Sequence, residues 1–414
     1  MDKQYTHLFT PITIGNKTVS NRFALNAMEG NDADTEGNPT DKTYRRYESF
    51  FQGGAGLIDL EAITVTDEHV SRKMQLSVLP KNEKALSKFV KRMREINPEP
   101  LFVWQLTHAG ELANPDFSKR VCVKPLPGFG GEILSEGDIE KAIDQFVLAA
   151  KIARNCGADG IDFKNCHGYL DSQILRPYND REWKYGGPWE NRKRFTFEIY
   201  ERIRKEIDDP DFLIGSKVSM WEGFPGGQGT AGPRSPVLDL TESLDLVKGM
   251  EDRGASFIIV SAGSPSLTLA LTQPDRRIPD YVYLHFTFQK QVRDLLNQET
   301  AVIGSGYSVL GKGKNELQAL APEEKSLLFW AEKNVEEGIT DMVALGRQAF
   351  ADPGVPRKLE EGKEDEINWC IACDRCVEFL IHQENIGCAV HQPEYVQLYK
   401  DMTTRTGKLT AKRT

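Results

Sequence analysis

The 414-residue chain has no apolar run near the roughly 18 residues that cross a bilayer. Its opening, MDKQYTHLFTPITIG, has no apolar stretch after the charges, which sets aside a secretory signal and makes a cytoplasmic protein the expectation. Charge of neither sign dominates: 52 Lys and Arg stand against 61 Asp and Glu, a net of -9. That balance favours solubility and speaks against nucleic acid or an anionic membrane as partner. Low-complexity tracts are missing, as is any repeat beyond a strand–helix unit. The GxGxxG fingerprint of an open dinucleotide-binding sheet is also missing, since the first strand candidate runs into NAMEGND. Cysteine is scarce, seven in all, and unevenly spread. Cys122, Cys156 and Cys166 are scattered and read as small buried hydrophobes. Cys370, Cys373, Cys376 and Cys388 cluster, which points to a metal or cluster site rather than a disulfide framework.

Short apolar or β-branched runs alternate with helix-periodic stretches. The strand candidates are 22–27, 57–62, 101–106, 160–163, 213–218, 256–260, 300–303 and 341–345. The helical stretches are 42–52, 83–95, 136–155, 191–206, 240–252, 282–297 and 322–336, with a last one near 356–361. Eight strands, each followed by a helix, imply parallel pairing through right-handed crossovers. The count of eight favours a closed (β/α)8 TIM barrel, α/β in class, over an open sheet. The expected division is a barrel over residues 1–365, a short C-terminal iron–sulfur-binding extension over 366–400 and a flexible, basic tail over 401–414. Residues 224–236 and 267–281 read as insertions.

A barrel carries its chemistry where its strands end. Those segments here are AMEGN, EAITVTDE, QLTHAGE, KNCHGYL, SMWEGFPGGQG, SAGSPS, GSGYS and GRQAFADP, rich in Gly, Ser, His, Gln and aromatics. The cysteine spacing C-x2-C-x2-C-x11-C supplies one thiolate per iron of a 4Fe-4S cubane. A four-cysteine zinc site is the competing reading, although two separate C-x2-C knuckles would suit zinc better.

The ordered segments LFTPITIGNKTVSNRFALNAM, GGAGLIDLEA, QLTHAG, GADGIDFKNCHGYL, YGGPWENRKRF, DMVALGRQAFADP and CIACDRC resemble the Old Yellow Enzyme family. Within it they are most similar to the branch that contains 2,4-dienoyl-CoA reductase and trimethylamine dehydrogenase. The resemblance implies FMN. Its phosphate would meet Gly304, Ser305, Gly306, Gly346 and Arg347 after the last two strands, where glycine turns supply N–H donors. Its ring would lie along Ala27, Met28 and Glu29 near Ala62. The amide of Gln105 would pair with the pyrimidine edge, and Lys217, where the family usually has arginine, would face N1 and O2.

In the family a pair of hydrogen-bonding residues precedes Gly-Tyr-Leu and holds a substrate carbonyl. Here the pair is Lys164-x-x-His167, followed by Tyr169. Hydride from flavin N5 to the β-carbon of an enone leaves charge on the carbonyl oxygen. Lys164 and His167 are the candidate donors to that oxygen and Tyr169 the candidate acid at the α-carbon. The lysine is a departure from the family's pair, and it favours an anionic or strongly polarised substrate. Trp221, Glu222 and Tyr307 are further candidates for the mouth. His108 reads as a buried structural histidine, and Glu111 replaces a family arginine.

The resemblance thus implies an FMN-dependent reductase of activated C=C bonds in a small-molecule substrate. Its electrons would come from NAD(P)H or from an electron-transfer protein acting through the cluster, and homo-oligomers are common in the family. The alternatives are an amine or N-methyl dehydrogenase and an electron-transfer flavin subunit with no substrate of its own.

Overall fold

The structure, a computed structural model, describes residues 5–317 and 320–407. Eight parallel strands close into a barrel in sequence order: β1 (Phe23–Leu25), β2 (Leu57–Thr64), β3 (Leu101–Thr107), β4 (Gly160–Asn165), β5 (Leu213–Ser219), β6 (Phe257–Ser261), β7 (Ala301–Gly304) and β8 (Met342–Leu345). Strand β8 pairs back onto β1, Val343 opposite Phe23 and Leu345 opposite Leu25. Every strand candidate from the sequence overlaps one barrel strand.

The strands explain the interior. Side chains alternate in and out along a strand, so every second residue points to the barrel axis. Ala24, Leu57, Leu101, Val103, Leu213, Phe257, Ile259, Ala301, Ile303, Met342 and Ala344 form one buried apolar cluster there. Gly215 leaves room for Phe257: a Cβ on it would come within 2.3 Å of the ring. An antiparallel hairpin absent from the sequence reading, Ile12–Ile14 with Lys17–Val19, adds Ile14 and Val19 to this cluster. The outward faces meet the helices. Phe163 of β4 packs edge-on to Phe146 at 4.8 Å between ring centroids and lies 6.1 Å from Phe195.

Three expectations need correction. The stretch 191–206 forms two helices, Trp189–Arg192 and Arg194–Glu206. The stretch 322–336 opens on a short 3-10 turn, Glu323–Lys325, and is α-helical only from Leu327, where the Ser326 side chain accepts the Phe329 N–H and caps the helix. The tail expected from residue 401 is helical as far as Thr406: the helix Pro393–Thr406 buries Met402 against the core, a contact that the basic, polar composition does not reveal. Residues 408–414 of that expected tail lie outside the described residues. The extension folds onto the barrel mouth, where the Ile386 N–H donates to the Gly30 carbonyl at 2.8 Å and Asn31 Nδ2 donates to the Glu384 carbonyl at 3.0 Å.

Phe163→Ala should lower unfolding stability by about 3–5 kcal/mol, the range for emptying a buried aromatic site. Val237→Ala, on a side chain 61% exposed, should change it by less than about 0.5 kcal/mol. Urea denaturation of both variants checks the contrast.

Candidate functional site

The cavity sits where the strands end. It has a volume of about 410 Å³, within the range of about 300–1,000 Å³ usual for small-molecule and cofactor sites. The alternation that makes the barrel interior apolar continues upward and turns polar. Two residues beyond Ala24, Leu57, Val103 and Ile259 come Asn26, Asp59, Gln105 and Ser261. Asp162 and Lys164 follow Gly160, and Lys217 follows Gly215. Of these, Asn26, Gln105, Lys164, Lys217 and Ser261 line the cavity.

Ala27, Met28, Glu29, Gln105, Lys164, His167, Tyr169, Lys217, Ser305, Gly306, Gly346 and Arg347 share this one cavity wall. Ala62 and Gly304 lie outside the lining. The Ala62 carbonyl accepts from Gln75 Nε2 at 2.9 Å, and a Cβ on Gly304 would strike the Gln289 amide at 2.2 Å. Tyr307, a candidate for the mouth, is instead fully buried, its hydroxyl between Gln289 and Asn334. Trp221 does not line the cavity, and Glu222 is bound bidentately by Arg176 at 2.7 and 2.9 Å. His108 is buried outside the cavity lining.

The floor is a hydrogen-bonded set. Lys217 Nζ donates to Asn26 Oδ1 at 2.8 Å, and Gln105 Nε2 donates to Asp162 Oδ2 at 2.6 Å. The Gln105 oxygen has no partner among the described residues. On the side wall, Tyr169 Oη donates to Glu29 Oε1 at 3.0 Å, and Arg72 Nε donates to Glu29 Oε2 at 2.9 Å. Burial works to raise the Glu29 carboxyl, but Arg72, Lys164 and the Tyr169 hydroxyl outweigh it and hold it below the usual range. Burial and the ionised Glu29 raise the Tyr169 hydroxyl, against the pull of Lys164 and Arg72.

Lys164 is 6% exposed, and its ammonium lies 3.7 Å from the centre of the Tyr169 ring. It makes no ion pair within 4.0 Å among the described residues, so a structural salt bridge to Asp162 or Glu222 is excluded. Burial would depress this lysine, but Tyr169, Glu29 and other neighbours keep it above its ordinary value, that is, charged.

His167 and Gly168 both adopt left-handed backbone, φ 65° and 79°. A Cβ on Gly168 would come within 2.8 Å of Ser264 Oγ, so the tight turn at this strand end requires glycine. The turn brings His167 Nε2 to 2.9 Å from Ser261 Oγ. Burial, then Lys217 and Lys164, push the imidazole well below its ordinary value, so it is neutral.

One group at the cavity was missed in the sequence, and a second, Glu111, was noted only as a replacement for a family arginine. Arg72 sits in a loop far from any strand end, and no local signal marks it. Glu111 is buried at the cavity wall; Arg176 Nη1 donates to its Oε1 at 2.5 Å, while Oε2 finds no partner among the described residues. Burial pushes this carboxyl up.

At the far end, Arg347 donates to Asp374 Oδ1 at 2.8 Å and to the Pro274 carbonyl at 2.6 Å. It also borders a small void of about 20 Å³ that Cys370, Cys373, Cys376 and Cys388 line together. Among the described residues no three His, Cys, Asp or Glu side chains are gathered to hold a single metal ion. Ala372 and Asp374, inside the cysteine loop, take left-handed φ of 47° and 60°.

Comparison with known proteins gives the following. The sequence signature of the NADH:flavin oxidoreductase / NADH oxidase family matches residues 7–245. The chain is 29% identical to NADH oxidase of Thermoanaerobacter brockii, over 93% of this chain and 54% of that protein. It is 26% identical to cinnamate reductase of Clostridium sporogenes, over 94% and 58% of the two chains. It is 26% identical to dimethylamine dehydrogenase of Hyphomicrobium sp., over 91% and 48%. The chain spans about half the length of these curated relatives. A solved 2-naphthoyl-CoA reductase complex shares the fold, with a TM-score of 0.78 at 22% identity over 95% of this chain and 58% of that one.

The neutral histidines generate a prediction. His108 is held at about 3 and His285 at about 4 by burial, and His167 lies well below its ordinary value. The unfolded chain therefore binds protons first, at about pH 6.5, and stability falls as pH drops below that value, by up to about 1.4 kcal/mol per unit for each histidine. His285→Asn should lose less stability than wild type between pH 7.5 and 5, as read by urea denaturation.

Proposed function

Because the chain belongs to the NADH:flavin oxidoreductase / NADH oxidase family, we propose that it is a flavin-dependent oxidoreductase. Its barrel holds FMN and reduces the C=C bond of an anionic or strongly polarised α,β-unsaturated carbonyl compound. The cavity fits that cofactor. Gly306 needs glycine for its φ of 102° and because a Cβ would meet the His285 ring at 3.0 Å, while Gly346, where a Cβ would meet nothing nearer than Met28 Sδ at 3.6 Å, leaves backbone open to a phosphate; both line the cavity with Arg347 beside them. At the other end the unpartnered Gln105 oxygen and the Lys217 ammonium suit the polar edge of the ring. When bound, FMN supplies the hydride.

The observation that carries the substrate reading is the buried Lys164 ammonium, which faces the cavity without a carboxylate partner. A cation fixed in a site of low dielectric stabilises the charge that gathers on a carbonyl oxygen or resides on a carboxylate. Tyr169 is the general acid for the α-carbon. In the resting site its single hydroxyl proton is held by Glu29; the hydroxyl turns from Glu29 to the α-carbon to deliver it, and the phenolate left behind is stabilised by Lys164 and Arg72. His167, being neutral, contributes a hydrogen bond and no charge. The same cations disfavour a positively charged amine, which counts against the dehydrogenase reading.

The four cysteines are proposed to hold a 4Fe-4S cluster that exchanges electrons with the flavin. They line a common void, and the C-x2-C-x2-C-x11-C spacing offers one thiolate per iron, where zinc sites more often use two separate C-x2-C pairs. The reductant is then NAD(P)H or an electron-transfer protein.

Two measurements test these readings. Protein purified without oxygen should show a flavin absorbance band and about four irons per chain; a colourless, zinc-containing protein would overturn both cofactors. Tyr169→Phe should slow oxidation of the reduced flavin by cinnamate about 10²–10⁴-fold, and Lys164→Met should raise KM for cinnamate more than for its methyl ester. An unchanged rate removes Tyr169 as the acid, and equal effects on acid and ester remove the charge recognition.

A further inference from the structure

Beneath the cavity floor lie two carboxyl groups that the proposed chemistry does not use. Asp59 on β2 and Asp162 on β4 are 1% and 0% exposed. They stand on alternate strands, whose inward side chains share a layer in an eight-stranded barrel. The strand between them contributes Val103, paired with Asp59 on one side and Gly160 on the other.

Asp162 is surrounded by donors. Its Oδ1 accepts the Lys217 backbone N–H at 2.5 Å, and its Oδ2 accepts Gln105 Nε2 at 2.6 Å. Asp59 is not. Its Oδ2 accepts the Ala27 N–H at 3.2 Å, but its buried Oδ1 meets no donor among the described residues. In that shared layer the two buried carboxyls face each other and can bond directly if one of them carries a proton. An ionised carboxylate only accepts, so such a contact requires a proton on one of them. Asp162 already spends both oxygens as acceptors, which leaves Asp59 as the donor. The charged and titratable groups around the pair are Lys217, Lys164, Cys166 and Tyr200. Burial, then Asp162, lift Asp59 well above the usual carboxylate range despite Lys217.

We infer that Asp59 and Asp162 share one proton, carried by Asp59, and act as positioning residues that set the polarity of the cavity floor. An Asp162 that can only accept forces the Gln105 NH2 downward, so Gln105 presents its oxygen to whatever binds above. One buried negative charge instead of two lies under Lys217, so the floor keeps its attraction for a ligand that gains negative charge. The consequence for the cofactor rests on the flavin reading; the shared proton does not.

The test has two arms. In infrared spectra at pH 7, wild type minus Asp59→Asn should contain a protonated-carboxyl band that shifts in D2O; its absence overturns the proposal whatever the protein binds. In FMN titrations of flavin-depleted protein, Asp59→Ala should weaken binding about 10-fold. Asp59→Asn, which keeps a donor toward Asp162, should restore affinity to within about 3-fold of wild type. Failure of the asparagine to rescue overturns the positioning role. Wild type that binds no FMN overturns the flavin reading and leaves the infrared result to decide the shared proton alone.

Discussion

The site depends on one geometric constraint, the two-residue period of strands inside a closed barrel. Closure leaves no edge, so the inward positions of all eight strands compete for one narrow column of space. At the lower levels that column is apolar. At the upper level the same positions carry Asn26, Asp59, Gln105, Asp162, Lys164, Lys217 and Ser261. The apolar layers beneath keep water out, and the strands hold the polar side chains in register with their neighbours: Gln105 lies opposite Asp162, and Lys164 opposite Lys217. Groups placed this way need no reorganisation when charge develops above them.

Burying so many ionisable groups is tolerated because most are paired. Arg176 is shared between Glu111 and Glu222, Arg72 holds Glu29, and Arg46 is held by Asp32 and Glu61. Breaking such pairs by removing one member is costly, so they brace the loops around the mouth. Lys164 stands apart, since its nearest compensation is the face of the Tyr169 ring. A buried cation that stays charged, faces the cavity and has no carboxylate within 4.0 Å among the described residues is placed to meet an anion there, which is why it speaks of function.

The extension ties the two ends of the site together. Cys376, Val377, Leu380 and Ile386 reach the cavity wall, and Arg347 borders both the cavity and the void that the thiols line. The cysteine loop therefore forms part of the mouth and gives any group held there a short path to the cavity.

Much of this was legible in one dimension. Strand and helix periods are local, and eight of each in alternation imply the closed barrel and the location of its mouth. Residues just past each strand could thus be read as the site, and Gln105, Lys164, Tyr169 and Lys217 fall on one wall. The cysteine spacing is likewise local. Parity counting along β2 and β4 would also have pointed Asp59 and Asp162 inward, but not told their protonation. Arg72, the Glu29–Tyr169 contact, the burial of Tyr307 and the docking of the Pro393–Thr406 helix come from loops and termini that meet across long stretches of chain. No period encodes those meetings. The protonation of each group follows from them, since burial and neighbouring charge exist only once the chain has closed. The sequence by itself therefore determined the barrel and most of the residues at its mouth, and the tertiary structure alone decided which of the candidates reach the cavity and which are charged, paired or free to act.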